Sequence, residues 1–136
     1  MIFIDSSAFI GVYMPRDQCH PRALAFWDEI AHRREPLFTS NLVLAETITY
    51  VAKHANCEYA VRKARSLIAS ERLTILRPGS DDDARALEIL TRMTDQSLSF
   101  TDCVSFALMR KNEIKAAFAF DEHFERAGFT MLPARV

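Results

Sequence analysis

Short unbroken apolar runs alternate along this chain with longer stretches in which apolar residues return every three or four positions. Met1–Ile4, Leu73–Leu76 and Ala117–Phe120 are of the first kind and predict buried parallel strands. Leu37–Ser40 and Thr130–Leu132 are weaker strand candidates. Between them, Ala23, Phe26, Trp27 and Ile30 repeat at helical spacing, and Asn41 to Ala55 is apolar almost all round, which predicts a central buried helix. Ala60, Val61, Ala64, Leu67 and Ile68 form one stripe, with Arg62, Lys63 and Arg65 mostly off it. Ala84, Leu87 and Leu90 form another, starting from the capping pair Ser80 and Asp83. Phe100 to Met109 is helical in pattern, and a last short helix is expected near Glu122 to Arg126, ended by Gly128. Strands alternating with helices imply an α/β domain with a central parallel sheet of four to five strands and right-handed crossovers.

Composition narrows this picture in a few places. A chain of 136 residues suits one domain spanning positions 1–136, and a 49% hydrophobic content excludes a disordered tail. No apolar run approaches a membrane span, and Met1-Ile2-Phe3-Ile4 lacks the charged leader of a signal peptide, so a cytoplasmic protein is expected. Cys19, Cys57 and Cys103 are scattered and odd in number, against a disulfide framework or a zinc cage. With three glycines there is no phosphate-binding glycine loop, neither G-x-G-x-x-G nor a Walker sequence. The net charge of −1 gives no basic footprint for nucleic acid, so a nucleic-acid role would need local patches or metal neutralisation.

Four acids stand where acids are costly. Asp5 follows Met1–Ile4, Asp121 follows Ala116–Phe120, and Glu46 and Asp102 have apolar or neutral helical neighbours with no base three or four positions away. Other acids, such as Glu29 before Arg33 and Glu88 before Arg92, are ordinary helix-face pairs. Asp5 and Asp121 fall just past strands, Asp102 in the first turn of a helix, and Glu46 in the second turn of another, so all four can reach the carboxyl end of the sheet. Asp5, Asp121 and Asp102 each also suit a helix cap, Asp102 through the box Ser99-Phe100-Thr101-Asp102. Glu46 lies too deep in its helix to cap. One shared cause would be Mg²⁺ or Mn²⁺, which take oxygen ligands. Two such ions about 3.5–4 Å apart, or one ion with a basic side chain, suit phosphodiester cleavage.

In order along the chain, MIFIDSSAFI, LVLAETITYV, LSFTDCVSFAL and AFAFDEHFERAGF resemble the four landmarks of PIN-domain ribonucleases, most closely the VapC-type toxins of bacterial toxin–antitoxin pairs. The resemblance covers nearly the whole chain. It implies a three-layer α/β/α fold and Mg²⁺- or Mn²⁺-dependent endoribonuclease activity. It also implies Asp5 and Asp102 as direct metal ligands, with Glu46 and Asp121 completing the shell, positioning water or acting as base. Ser6 matches the small hydroxyl residue after the first acid. Ala119 departs from the pattern, where many relatives carry threonine. An RNA substrate, a VapB-type antitoxin and a homodimer are implied as partners.

Other residues carry weaker signals. Arg110 and Lys111, or the cluster Arg62, Lys63 and Arg65, are candidates for RNA phosphates, with a solvated helix face as the alternative. His123 reads as packing rather than chemistry, and Asp81, Asp82 and Asp83 as a solvated helix start favoured by the dipole. Two other functions fit the same topology. A phosphoryl-accepting receiver or phosphatase would want a lysine ending the last strand or Asp5-x-Asp, where Thr130-Met131-Leu132-Pro133 and Ser7 stand. An inert PIN-like binding module would not need the intact acid set.

Overall fold

The computed structural model describes residues 1–94 and 97–135. Five parallel strands form one sheet: β1 (Ile2–Ile4), β2 (Leu37–Ser40), β3 (Leu73–Leu76), β4 (Ala116–Phe118) and β5 (Thr130–Leu132), in the order β3-β2-β1-β4-β5. The helices are α1 (Ser6–Tyr13), α2 (His20–Ala31), α3 (Asn41–His54), α4 (Cys57–Ala69), α5 (Ser80–Arg92), α6 (Phe100–Lys111) and α7 (His123–Arg126). α1 packs on α2 and α3, α3 on α4, and α5 on α6. Right-handed crossovers place α1–α4 and α5–α6 on opposite faces of the sheet. This is the expected three-layer α/β/α arrangement.

β1 is the hinge of the topology. It lies between β2 and β4, and all three of its residues are buried. From β1 the chain moves outward to β2 and β3, then crosses back to β4 on the other side. The connections after β1 and β4 therefore leave for opposite faces, and such a switch point at the carboxyl end is where open parallel sheets place their functional groups. Gly11 keeps α1 close to α2, because a β-carbon there would come within 2.9 Å of Ala23 Cβ.

Several sequence expectations are corrected. α3 is not the central helix: it buries Val43, Leu44, Thr47 and Val51 but exposes Ala45, Glu46, Thr49 and Tyr50. The central helix is α6, in which every residue from Asp102 to Met109 is buried. In α5 the buried stripe is Ala86 and Ile89, while Leu87 is 56% and Leu90 36% exposed. In α4, Ala60, Ala64 and Leu67 face inward and Val61 and Ile68 outward. β4 ends at Phe118, so Asp121 stands three residues past it rather than one.

The start of α5 also differs from the expected solvated run of acids. Gly79 is the N-cap. Asp82 is buried, accepts the Gly79 N–H at 2.9 Å, and lies 3.3 Å from Lys111 Nζ. It thereby ties the first turn of α5 to the end of α6.

Candidate active site

Asp5 ends β1 and begins α1. One of its oxygens, Oδ2, accepts the Ser7 N–H at 3.1 Å and the Ser7 hydroxyl at 2.6 Å. The Ser7 hydroxyl in turn accepts the Phe120 N–H at 3.0 Å. A backbone bond from Asp5 N–H to Phe118 carbonyl (3.0 Å) runs beside this relay. The end of β1 is thus fastened to the segment that leads from β4 to Asp121. The role of Ser7 is not legible in the sequence, because its link to Phe120 spans 113 positions and no local pattern shows it.

Asp102 lies in the first turn of α6 and completes the expected capping box. The Ser99 hydroxyl accepts the Asp102 N–H at 3.0 Å, and Asp102 Oδ2 accepts the Ser99 N–H at 3.1 Å. For Asp5 and Asp102 cap and site are compatible: each caps through Oδ2, and each carboxylate also feels the charge of another of the four acids. Both are buried, at 3% and 9% exposure.

Asp121 and His123 form the third corner. Asp121 Oδ1 accepts the His123 N–H at 2.9 Å. The imidazole Nδ1 approaches the same oxygen to 2.6 Å, away from hydrogen-bond direction, and Nε2 lies 3.1 Å from the Ser97 hydroxyl. One ligand atom from each of Asp102, Asp121 and His123 falls within 4.8 Å of the others. His123 therefore borders the site as well as being buried, and its packing role and its place beside Asp121 are one arrangement. Glu46 stands at the exposed rim and accepts the Ser6 hydroxyl at 3.3 Å.

The charges interact. Burial pushes the Asp5 carboxyl up to about 7; the Ser7 hydroxyl opposes this and the neighbouring Asp102 adds to it. Asp102 is raised as well, first by burial, with the Ser99 hydrogen bonds opposing and Asp121 and Glu46 adding repulsion. Among the described residues no lysine or arginine pairs with Asp5, Glu46, Asp102 or Asp121. The structure brings all four expected acids, and Ser6, to one end of the sheet. It does not bring the basic candidates there. Arg110 donates to the Ala127 carbonyl and covers the Phe129 ring, and Lys111 pairs with Asp82, both at the far end of α6. Arg62 and Lys63 lie over the Tyr59 ring, and Arg65 is exposed on the same helix.

The donor set has a definite chemistry. Its carboxylate oxygens, gathered so that neighbouring charges add to the raised proton affinity of Asp5 and Asp102 and with no lysine or arginine paired to them among the described residues, fit a hard divalent cation. Ser7→Ala tests the frame that holds them. Losing both bonds of the relay is expected to cost about 1–2 kcal/mol of stability in urea unfolding, because Phe120 N–H and Asp5 Oδ2 each lose a part-buried partner.

Comparison with known families decides the affiliation: the PIN domain pattern matches residues 2–130. The chain belongs to the PIN-domain family. The curated 23S rRNA-specific endonuclease VapC20 of Mycobacterium tuberculosis is 35% identical to it over 129 residues, covering 95% of each chain. The crystal structure of that species' VapC20, described as a Sarcin-Ricin loop cleaving toxin, superposes with a TM-score of 0.86 at 33% identity. It covers 96% of this chain and 97% of the other. More distant is VapBC2 from Rickettsia felis, bound to a DNA fragment from its promoter, with a TM-score of 0.70 at 16% identity, covering 96% and 97% of the two chains. This likeness is of fold. The family and the three-layer fold expected from the sequence are both borne out.

Proposed function

We propose that this PIN domain is a metal-dependent endoribonuclease and the toxin of a toxin–antitoxin pair. The observation that carries the reading is the convergence of Asp5, Glu46, Asp102 and Asp121 at the carboxyl end of the sheet, with no lysine or arginine paired to them among the described residues. The extensive likeness to a ribosomal RNA endonuclease supports RNA as the substrate and makes 23S rRNA the first to test. A VapB-type antitoxin, a homodimeric toxin and a cytoplasmic location accompany this reading.

Asp5 and Asp102 would hold Mg²⁺ or Mn²⁺ directly, and Asp121 and Glu46 would complete the shell. Bound there, the cation would supply positive charge that acidifies water and offsets the negative charge growing on the phosphoryl oxygens. The remaining work belongs to the chain. Ser7 and Ser99 each anchor one oxygen of Asp5 or Asp102, and the other oxygen of each would be the one offered to the cation. His123 fixes Asp121. Water attacks phosphorus in line with the leaving oxygen, and Glu46, held by Ser6 at the exposed rim, is placed to take the proton. Ser6 also borders the space for a substrate phosphate.

Incubation of the antitoxin-free protein with total cellular RNA, followed by sequencing of new ends, tests this. Discrete cuts in Mg²⁺ or Mn²⁺ that vanish with a chelator are expected. Equal cutting with and without metal would overturn the mechanism.

A further inference from the structure

Beyond the carboxylates, α3 carries a surface that the proposed chemistry leaves unused. Tyr50, Lys53 and His54 follow Glu46 by four, seven and eight residues, which puts all four on one side of the helix. Ile10 stands in the same relation to Ser6 on α1, which packs against α3. Together Ile10, Ala45, Glu46, Thr49, Tyr50, Lys53 and His54 line an open groove of about 510 Å³. The groove begins at the Ser6–Glu46 hydrogen bond and runs along the helix away from the acids.

Its floor is aromatic and ordered. The rings of Tyr50 and His54 stack with centroids 4.0 Å apart and planes 18° apart. His54 Nδ1 lies 2.9 Å from the Tyr50 carbonyl, which holds the imidazole against the phenol ring. Tyr50 is 38% exposed although large and mostly apolar. Lys53, exposed beside the pair, has no carboxylate partner among the described residues. A flat aromatic face, a cation and direct continuity with the rim of the acid cluster are the elements of a single-stranded nucleotide site.

We propose that the Tyr50–His54 stack and Lys53 form a subsite for an unpaired nucleotide of the RNA substrate, next to the phosphate that is cut. This rests on the ribonuclease reading above. The base stacks on the free face of Tyr50, on the Glu46 side, since His54 one turn further on covers the other. Lys53 contacts the adjoining phosphate. Along the helix axis Tyr50 is about 6 Å and Lys53 about 11 Å from Glu46, so the groove reaches past the reacting phosphate to its neighbour. Tyr50 and Lys53 are positioning residues here, and stacking admits any base while excluding a paired one. The groove thus selects RNA loops over duplexes.

Two measurements test this with the full chain and a stem–loop RNA carrying 2-aminopurine in the loop. In steady-state cleavage, Tyr50→Ala is expected to raise KM about tenfold with kcat within about twofold. Tyr50→Phe should restore KM, and Lys53→Ala should lower the salt slope of binding by about one. In the second measurement, the Asp102→Asn protein is expected to quench 2-aminopurine, and Tyr50→Ala in that background to abolish the quenching. Unchanged KM and quenching in Tyr50→Ala would overturn the subsite, as would Tyr50→Phe behaving like Tyr50→Ala. So would loss of a dimer in Tyr50→Ala by analytical ultracentrifugation, which would mark the groove as a contact between copies of the chain. If the parent protein cuts no RNA, the proposed function fails by itself. The fluorescence result then still decides the subsite, and absence of quenching by the Asp102→Asn protein overturns it.

Discussion

Asp102→Asn is expected to lower metal-supported RNA cleavage by at least about a thousandfold while leaving the fold intact. The side chain combines two tasks that the substitution separates. Its capping task, accepting the Ser99 N–H, needs one oxygen, which asparagine supplies. The carboxylate also stands within 4.8 Å of ligand atoms of Asp121 and His123, and there the amide brings N–H donors and no charge. A loss of about 4 kcal/mol of electrostatic stabilisation at the reacting phosphate corresponds to roughly a thousandfold in rate. The measurement is single-turnover cleavage of a defined RNA in saturating Mn²⁺, with thermal unfolding as the control. Cleavage within tenfold of the parent would remove Asp102 from the metal shell.

The metal-free protein should become more stable when Asp5 loses its charge. Burial holds the Asp5 carboxyl at about 7 in the folded chain, against 3.8 for an unperturbed aspartate. The folded state therefore binds the proton more tightly than the unfolded state does. Its contribution is fully present below pH 4, falls as pH rises toward 7, and is gone above that. The gap corresponds to on the order of 4 kcal/mol at pH 8. Asp5→Asn removes this penalty while keeping an oxygen for Ser7. In a chelator at pH 8 it should raise the melting temperature by several degrees, with little effect at pH 4. Mn²⁺ should stabilise the parent protein at pH 8 and not the variant, since binding to the folded state alone raises stability. The variant should also be inactive. A lower melting temperature for Asp5→Asn at pH 8 in chelator would contradict the assigned burial cost.

Much of this was legible beforehand because strand ends and unpaired acids are local signals. All five strand segments, including the weak Leu37–Ser40 and Thr130–Leu132, pair in the sheet, and the four acids share its carboxyl end. Burial was less legible, because it depends on which layer a helix joins. Asn41–Ala55 reads as central because it is apolar almost all round, yet its Ala45, Thr49 and Tyr50 face outward; α6 instead fills the core while carrying the polar Asp102 and Ser105. In α5 the larger Leu87 and Leu90 marked a stripe, but the close packing of α6 selects the side with Ala86 and Ile89. Asp82 was hidden among Asp81 and Asp83, since only Lys111, 29 positions later, distinguishes it. The relay through Ser7 escaped for the same reason of distance along the chain.

The contrast between α3 and α6 has a practical side for engineering. Every position of α6 from 102 to 109 is enclosed by neighbours, so variation there risks collapse of the scaffold together with its chemistry. Ala45, Thr49, Tyr50, Lys53 and His54 of α3 look outward. A combinatorial library confined to those five codons would explore new targets at little risk to folding, so relatives that share one cutting centre can diverge in prey by repainting a single solvent-facing wall.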